Sequence, residues 1–149
     1  MAHFAEIDSN NKVLRVVVAC NQDIANNGGE QSEQAAENFK TICPLTNEGV
    51  KWIQTSYNRN FRKKLAGVGD IYDSIKDIFI APQPYTSWSL NENNDWIPPV
   101  QHPSIKNYGD GMIYRIYWDE NNIRWLSKDH LNNEFAWIPS SSSWIATGN

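Results

Sequence analysis

Cysteine is nearly absent from this sequence: Cys20 and Cys43 are the only two, with no CxxC spacing and no histidine beside either. That excludes a disulfide-stapled scaffold and a thiolate zinc centre. A Cys20–Cys43 bridge stays open, but the opening MAHFAEIDSN lacks the basic and apolar regions of a signal peptide, so buried free thiols are expected. No run approaches the ~20 apolar residues of a membrane helix, which argues against a membrane partner and for a soluble chain made in a cytoplasm. Charge is scarce as well. Only 20% of residues are charged and the net charge is −4, a mild acidity that repels a phosphate backbone and disfavours a nucleic-acid partner.

Chemical motifs are equally sparse. His3, His102 and His130 stand alone, outside HExxH or any His/Cys cluster, so no metal site is assigned. There is no GxSxG, no phosphate-cradling glycine loop and no GxGxxG; Gly109, Asp110 and Gly111 read as a turn. No catalytic residue and no cofactor follow. Asp119 with Glu120, and Asp70 with Asp73, have the composition of an acid–base pair, but Asp119 and Glu120 lie at an expected hairpin tip, where both are solvated and a turn role outweighs catalysis. The loops DSNN, NENND and DENN are oxygen-rich without the repeated Asp positions and distal Glu of a calcium loop.

What the chain has in quantity is short turns flanked by aromatic residues. IDSNNKVLRV, IYDSIKDIFIAP, SWSLNENNDWIPP, IYRIYWDENNIRWLS and KDHLNNEFAWIP share one scheme: an apolar or aromatic residue, a turn rich in Asp, Asn and Glu, and an apolar return. Asn and Asp suit such turns because their side chains bond nearby backbone groups and tolerate left-handed conformations. The spacing is too uneven for a solenoid and predicts successive β-hairpins. In the last of them Leu131 is expected before the turn and Phe135 and Trp137 after it. In the first, the return strand through Val13, Leu14, Val16, Val17 and Val18 is apolar enough to be central in its sheet.

One helix is expected, from about Glu30 to Ile42, with Ala35, Ala36, Phe39 and Ile42 on one face; Gly28 and Gly29 mark its approach and Pro44 ends it. Phe39 and Ile42 are expected against the first sheet. A strand follows at Val50 to Tyr57. The prolines at 82, 84, 98, 99, 103 and 139 fall after or between hairpins and cut the second half into separate units. The fold class is therefore mainly β (α+β). Residues 1–81 form a βα domain, 82–139 a region of tandem aromatic hairpins, and 140–149 a tail in which Ser140 to Ser143 are a flexible spacer and Trp144 and Ile145 dock.

Two groups of residues are candidates for interaction. Arg59, Arg62, Lys63 and Lys64 make the one basic cluster, either a patch for an acidic partner or a charge-guarded loop. Six of the seven tryptophans fall between residues 88 and 144. Such rings serve either as the core of small hairpins or as exposed recognition surface. Trp88, Trp96, Tyr117, Trp118, Trp125, Trp137 and Trp144 are the candidates, and because Tyr117 and Trp118 point to opposite faces of a strand, both cannot enter one core.

The segments MAHFAEID…NKVLRVVV, WIQTSYNRNFRKKLAGVGDIYD and, most specifically, PQPYTSWSLNENNDWIPPV occur in an order that resembles a group of small proteins of tailed bacteriophages, especially phages of cyanobacteria and other marine and freshwater bacteria. The resemblance covers most of the chain, whereas LSKDHLNNEFAWIPSSSSWIATGN departs from it and is where a member-specific attachment is expected. It implies a non-enzymatic virion component or assembly accessory at the head surface, neck or tail, with other virion proteins as partners. A carbohydrate-binding module stacking Trp and Tyr rings on host-surface glycans is the alternative, to be recognised by two or three coplanar exposed rings.

Overall fold

In the computed structural model, which describes residues 1–148, the first hairpin forms around Asp8. Strands β1 (Ala2–Ile7) and β2 (Val13–Ala19) pair antiparallel, and the Asp8 carboxylate accepts the backbone N–H groups of Asn10 at 2.8 Å and Lys12 at 2.9 Å. Asn11 completes the turn at φ 62°, a left-handed conformation that asparagine adopts with little penalty. The short helix α1 (Asn21–Ala25) follows, then α2 (Glu33–Ile42), capped by the Ser32 hydroxyl, which accepts from Ala35 N–H. Strand β3 (Lys51–Thr55) then adds to the far side of β1, so the sheet order is β2-β1-β3.

The central strand is therefore β1, not the more apolar β2, whose Val18 is half exposed. Burial on both faces explains the order. On one face, Phe4 stacks on Phe39 of α2, ring centroids 4.6 Å apart, and Phe39 meets the edge of Trp52 at 5.1 Å. On the other, Ala5, Ile7 and Val13 pack against Ala66, Tyr72 and Phe79, carried by the loop after β3 and by the ribbon of β4 (Ile71–Asp73) and β5 (Ile78–Ile80). Helix α2 presents Ala35, Ala36 and Phe39 to the sheet as expected. Ile42 is 59% exposed instead of buried, because the helix ends at that turn. Neither cysteine is bridged; Cys43 is half-buried at the end of α2, and Cys20 lies exposed past the end of β2 rather than in the core.

The chain divides after Pro82 into two compact units. In the second, β6 (Ser89–Leu90) pairs with β7 (Trp96–Ile97), and β8 (Asn107–Gly109) with β9 (Met112–Ile113), as two-stranded ribbons. The remaining hairpins are not separate. Strands β10 (Arg115–Asp119), β11 (Arg124–Lys128), β12 (Glu134–Ile138) and β13 (Ser143–Ala146) form one antiparallel meander in that order, because each return strand is also the outgoing strand of the next hairpin. The expected tail is the last of these strands; Ser140 to Ser142 supply its turn instead of a spacer and Ser143 begins β13, with Ser142 at φ 48° and its N–H donated to Pro139 O. Leu131, expected in a strand, sits at the tip of the Asp129–Asn133 turn and is exposed.

Three turns share one geometry. At Asp8, Asn91 and Asp129 the side-chain oxygen accepts the N–H groups two and four residues on. In each, the asparagine three residues on (Asn11, Asn94, Asn132) has φ near 60°. A left-handed residue closing a short turn directs the two strands into their twist, so asparagine takes the place that glycine fills in other hairpins.

Candidate functional site

Alternation along β10–β13 sorts the aromatic rings onto one face. Trp118 lies opposite Trp125, and Trp137 opposite Trp144, with Ile116, Ser127 and Phe135 on the same side. Trp118, Trp125 and Trp137 are buried, and half-buried Trp88, Val100 and Trp144 pack against them. Indole N–H groups fix the layer above: Trp125 donates to Val100 O at 2.9 Å, Trp144 to Ile105 O at 2.7 Å and Trp118 to Glu120 at 2.7 Å. The edge-to-face Trp118–Trp125 pair, 5.1 Å between centroids, stabilises by about 0.5–1.5 kcal/mol beyond burial alone.

Most of the aromatic interaction candidates are thus core. Trp118, Trp125 and Trp137 are each no more than 7% exposed and form no open ring platform, and Trp144 is anchored by its indole. Trp96 is half-buried on β7. Tyr117 takes the opposite face of β10, as alternation requires. It donates its hydroxyl to Glu134 at 2.8 Å, and burial, aided by that bond, pushes its pKa up to about 12.

The basic cluster is largely turned inward. Arg62 donates to Asp77 at 2.7 Å and to Gln54 O at 2.8 Å, and Asp77 also accepts the Tyr72 hydroxyl. Burial by itself raises the Asp77 carboxyl, but the Tyr72 and Arg62 bonds outweigh it and hold the pKa below its ordinary value. Lys64 donates to buried Asp70 at 2.6 Å. Lys63 is half-buried at φ 68°, and Arg59, at φ 59°, is the one of the four that is exposed. The four cations do not act as one patch because two of them have buried carboxylate or carbonyl partners within the fold.

Asp119 acts in its turn as expected, but neither it nor Glu120 is freely solvated: both are half-buried. Asp119 is held low by the Asn122 amide and, against some burial, by Arg124; Glu120 serves no turn but accepts from Ser87, 33 residues away, and from Trp118, which hold it low. Asp73 accepts the Ile75 and Lys76 N–H groups, while Asp70 accepts Gly67 N–H. Among the described residues no group of three His, Cys, Asp or Glu is placed to hold a metal ion, and no helix is long and apolar enough to cross a membrane.

One functional-looking cluster escaped the sequence reading. Glu6, fully buried on β1, accepts from Arg15, its register partner on β2, and from both the N–H and the hydroxyl of Thr46 at 2.6 Å. Arg15 also donates to Pro44 O and lies 5.1 Å over the Trp52 ring. The signal was present: a carboxylate between Ala5 and Ile7 with an arginine at matching hairpin register. Both carboxylate oxygens of Glu6 are engaged within the fold, which makes it a structural clamp.

The surface carries apolar side chains on the small ribbons. Leu90 and Ile97 on β6–β7, and Met112 and Ile113 on β8–β9, are exposed, as is Ile145 on the edge strand β13. The chain matches no family model, and no curated protein and no solved structure is significantly similar to it.

Proposed function

We propose that the chain is a non-enzymatic structural or accessory protein of a bacteriophage virion, at the head surface, neck or tail, that binds neighbouring virion proteins through its hairpins. The observation that carries this reading is the apolar exposure of the two ribbons in the second unit: Leu90 37%, Ile97 42%, Met112 49% and Ile113 69%. A two-stranded ribbon is marginal by itself, and exposed apolar side chains gathered on such ribbons suit a protein interface. Ile145, 54% exposed on β13, lies beside an unpaired strand edge of the kind that neighbouring chains cover. The contact surface in this reading is aliphatic, since of the six tryptophans expected to supply it three are buried and three half-buried.

A flat aromatic platform for glycans has less support. The tryptophan pairs are inclined at 60–84° to one another, and three of the rings are buried. Mass spectrometry of purified particles of the encoding phage tests the virion role. A fixed copy number per particle is expected, and absence of the chain from particles overturns the reading.

A further inference from the structure

Behind the β6–β7 ribbon the tryptophan layer opens into a cavity of about 450 Å³, walled by Trp88, Trp125, Pro98 and Pro99, with Gln101 and His102 as its polar lining. That size falls within the roughly 300–1,000 Å³ of small-ligand sites. The walls are stiff: each proline has its φ fixed and lacks a backbone N–H, and the Trp125 indole is tethered to Val100 O.

The chemistry of the lining narrows the ligand. The lining has no Asp, Glu, Lys or Arg, whereas an ionic ligand leaving water needs a countercharge. His102 Nδ1 lies 3.1 Å from Pro103 O; a carbonyl oxygen only accepts, so Nδ1 donates there and Nε2 is left for a ligand. The Gln101 amide both donates and accepts, and the Trp88 indole N–H is buried with no partner among the described residues. A purely apolar ligand would strip water from Gln101 and His102, both exposed, without replacing it. A hydroxylated ring has C–H groups for the half-buried Trp88 ring and hydroxyls for Gln101 and His102.

We propose that this cavity binds one neutral saccharide unit, with Gln101 and His102 bonding its hydroxyls. Gln101 and His102 also line a smaller cavity of about 150 Å³ with Ser104, Ser142 and the buried Trp137, which offers two hydroxyls to a second unit. Ile97, part of the contact surface in the particle role proposed above, also lines the cavity, so the two are separated by testing the free chain.

The test is an NMR titration of the full ¹⁵N-labelled chain with glucose, N-acetylglucosamine, cellobiose and chitobiose, read at the Trp88 and Trp125 indole N–H signals. Saturable shifts are expected with at least one of the four, stronger for a disaccharide than for its monomer. Gln101 is exposed, so Gln101→Ala should leave thermal unfolding unchanged while weakening binding about fivefold to tenfold, the loss of one hydrogen bond to ligand. Absence of saturation by any of the four up to about 50 mM overturns the site, as does unaltered binding by Gln101→Ala. Saturation by deca-proline in place of the sugars also overturns it, and reassigns the cavity to a protein segment.

Discussion

Gly49 lies so close to the Glu6 carboxylate that a β-carbon at position 49 would overlap Oε1. The loop after α2 folds back over β1 at this point, with Gly49 N–H donated to Thr46 O and Val50 N–H to Ile7 O. Glycine is required there for close approach and not for its φ angle. Gly49→Ala must push the carboxylate away from Thr46 and Arg15, leaving a buried charge short of partners. We expect a loss of about 2–4 kcal/mol, read by urea unfolding; a loss below about 0.5 kcal/mol would show that the loop yields freely.

Acid should act on the same cluster. Burial by itself raises the Glu6 carboxyl, but the bonds from Thr46 and Arg15 outweigh it and hold the pKa below 4.5. The unfolded chain takes up a proton near 4.5 and the folded chain only at lower pH, so acid favours unfolding. This contribution is complete above about pH 4.5 and is lost as pH falls through the folded pKa. Glu6→Gln should lower stability at pH 7 and flatten the decline of Tm below pH 4.5. A variant curve parallel to that of the parent would assign the acid sensitivity elsewhere.

What could be read from the sequence was local. The turns at Asp8, Asn91 and Asp129 are legible because the side chain that builds each one lies within it. Strand order was not legible, because the apolarity of Val13–Ala19 says nothing about which neighbour pairs on both sides. The central strand instead contains Glu6, whose partner Thr46 lies 40 residues away. Trp144 looked like part of a tail because its anchor, Ile105 O, is 39 residues distant. Arg62 looked like a surface charge because Asp77 and Gln54 O reach it only once the fold is formed. For the tryptophans, alternation placed Tyr117 and Trp118 on opposite faces correctly, but could not say which face the segment around Val100 would cover.

Ile123 breaks the turn pattern. It occupies the left-handed position between β10 and β11, at φ 51°, where Asn11, Asn94 and Asn132 stand in the other turns. A β-branched side chain is the worst choice there, at a cost of roughly 1–2 kcal/mol. Ile123 is 41% exposed, so its replacement forfeits little burial. Ile123→Asn should therefore raise stability by about 1 kcal/mol, and Asn94→Ala should lower it by a similar amount. Thermal unfolding of the two variants decides it, and destabilisation by Ile123→Asn would place the benefit of isoleucine in contacts outside the turn.

Ile113 and Trp118 separate the two uses of apolar surface in the second unit. Trp118 is 6% exposed, faces Trp125 and donates its indole N–H to Glu120; Trp118→Ala should cost about 3–5 kcal/mol by loss of burial and creation of a cavity. Ile113 is 69% exposed on a ribbon that contributes nothing to that layer through it, so Ile113→Ser should change stability by less than about 0.5 kcal/mol. If the ribbons dock on neighbouring proteins, Ile113→Ser should nevertheless reduce incorporation of the folded chain into particles, measured as copy number by mass spectrometry beside the parent. Normal incorporation of Ile113→Ser together with Met112→Ser would remove the β8–β9 ribbon from the interface and leave β6–β7 and the β13 edge as the surfaces available for attachment.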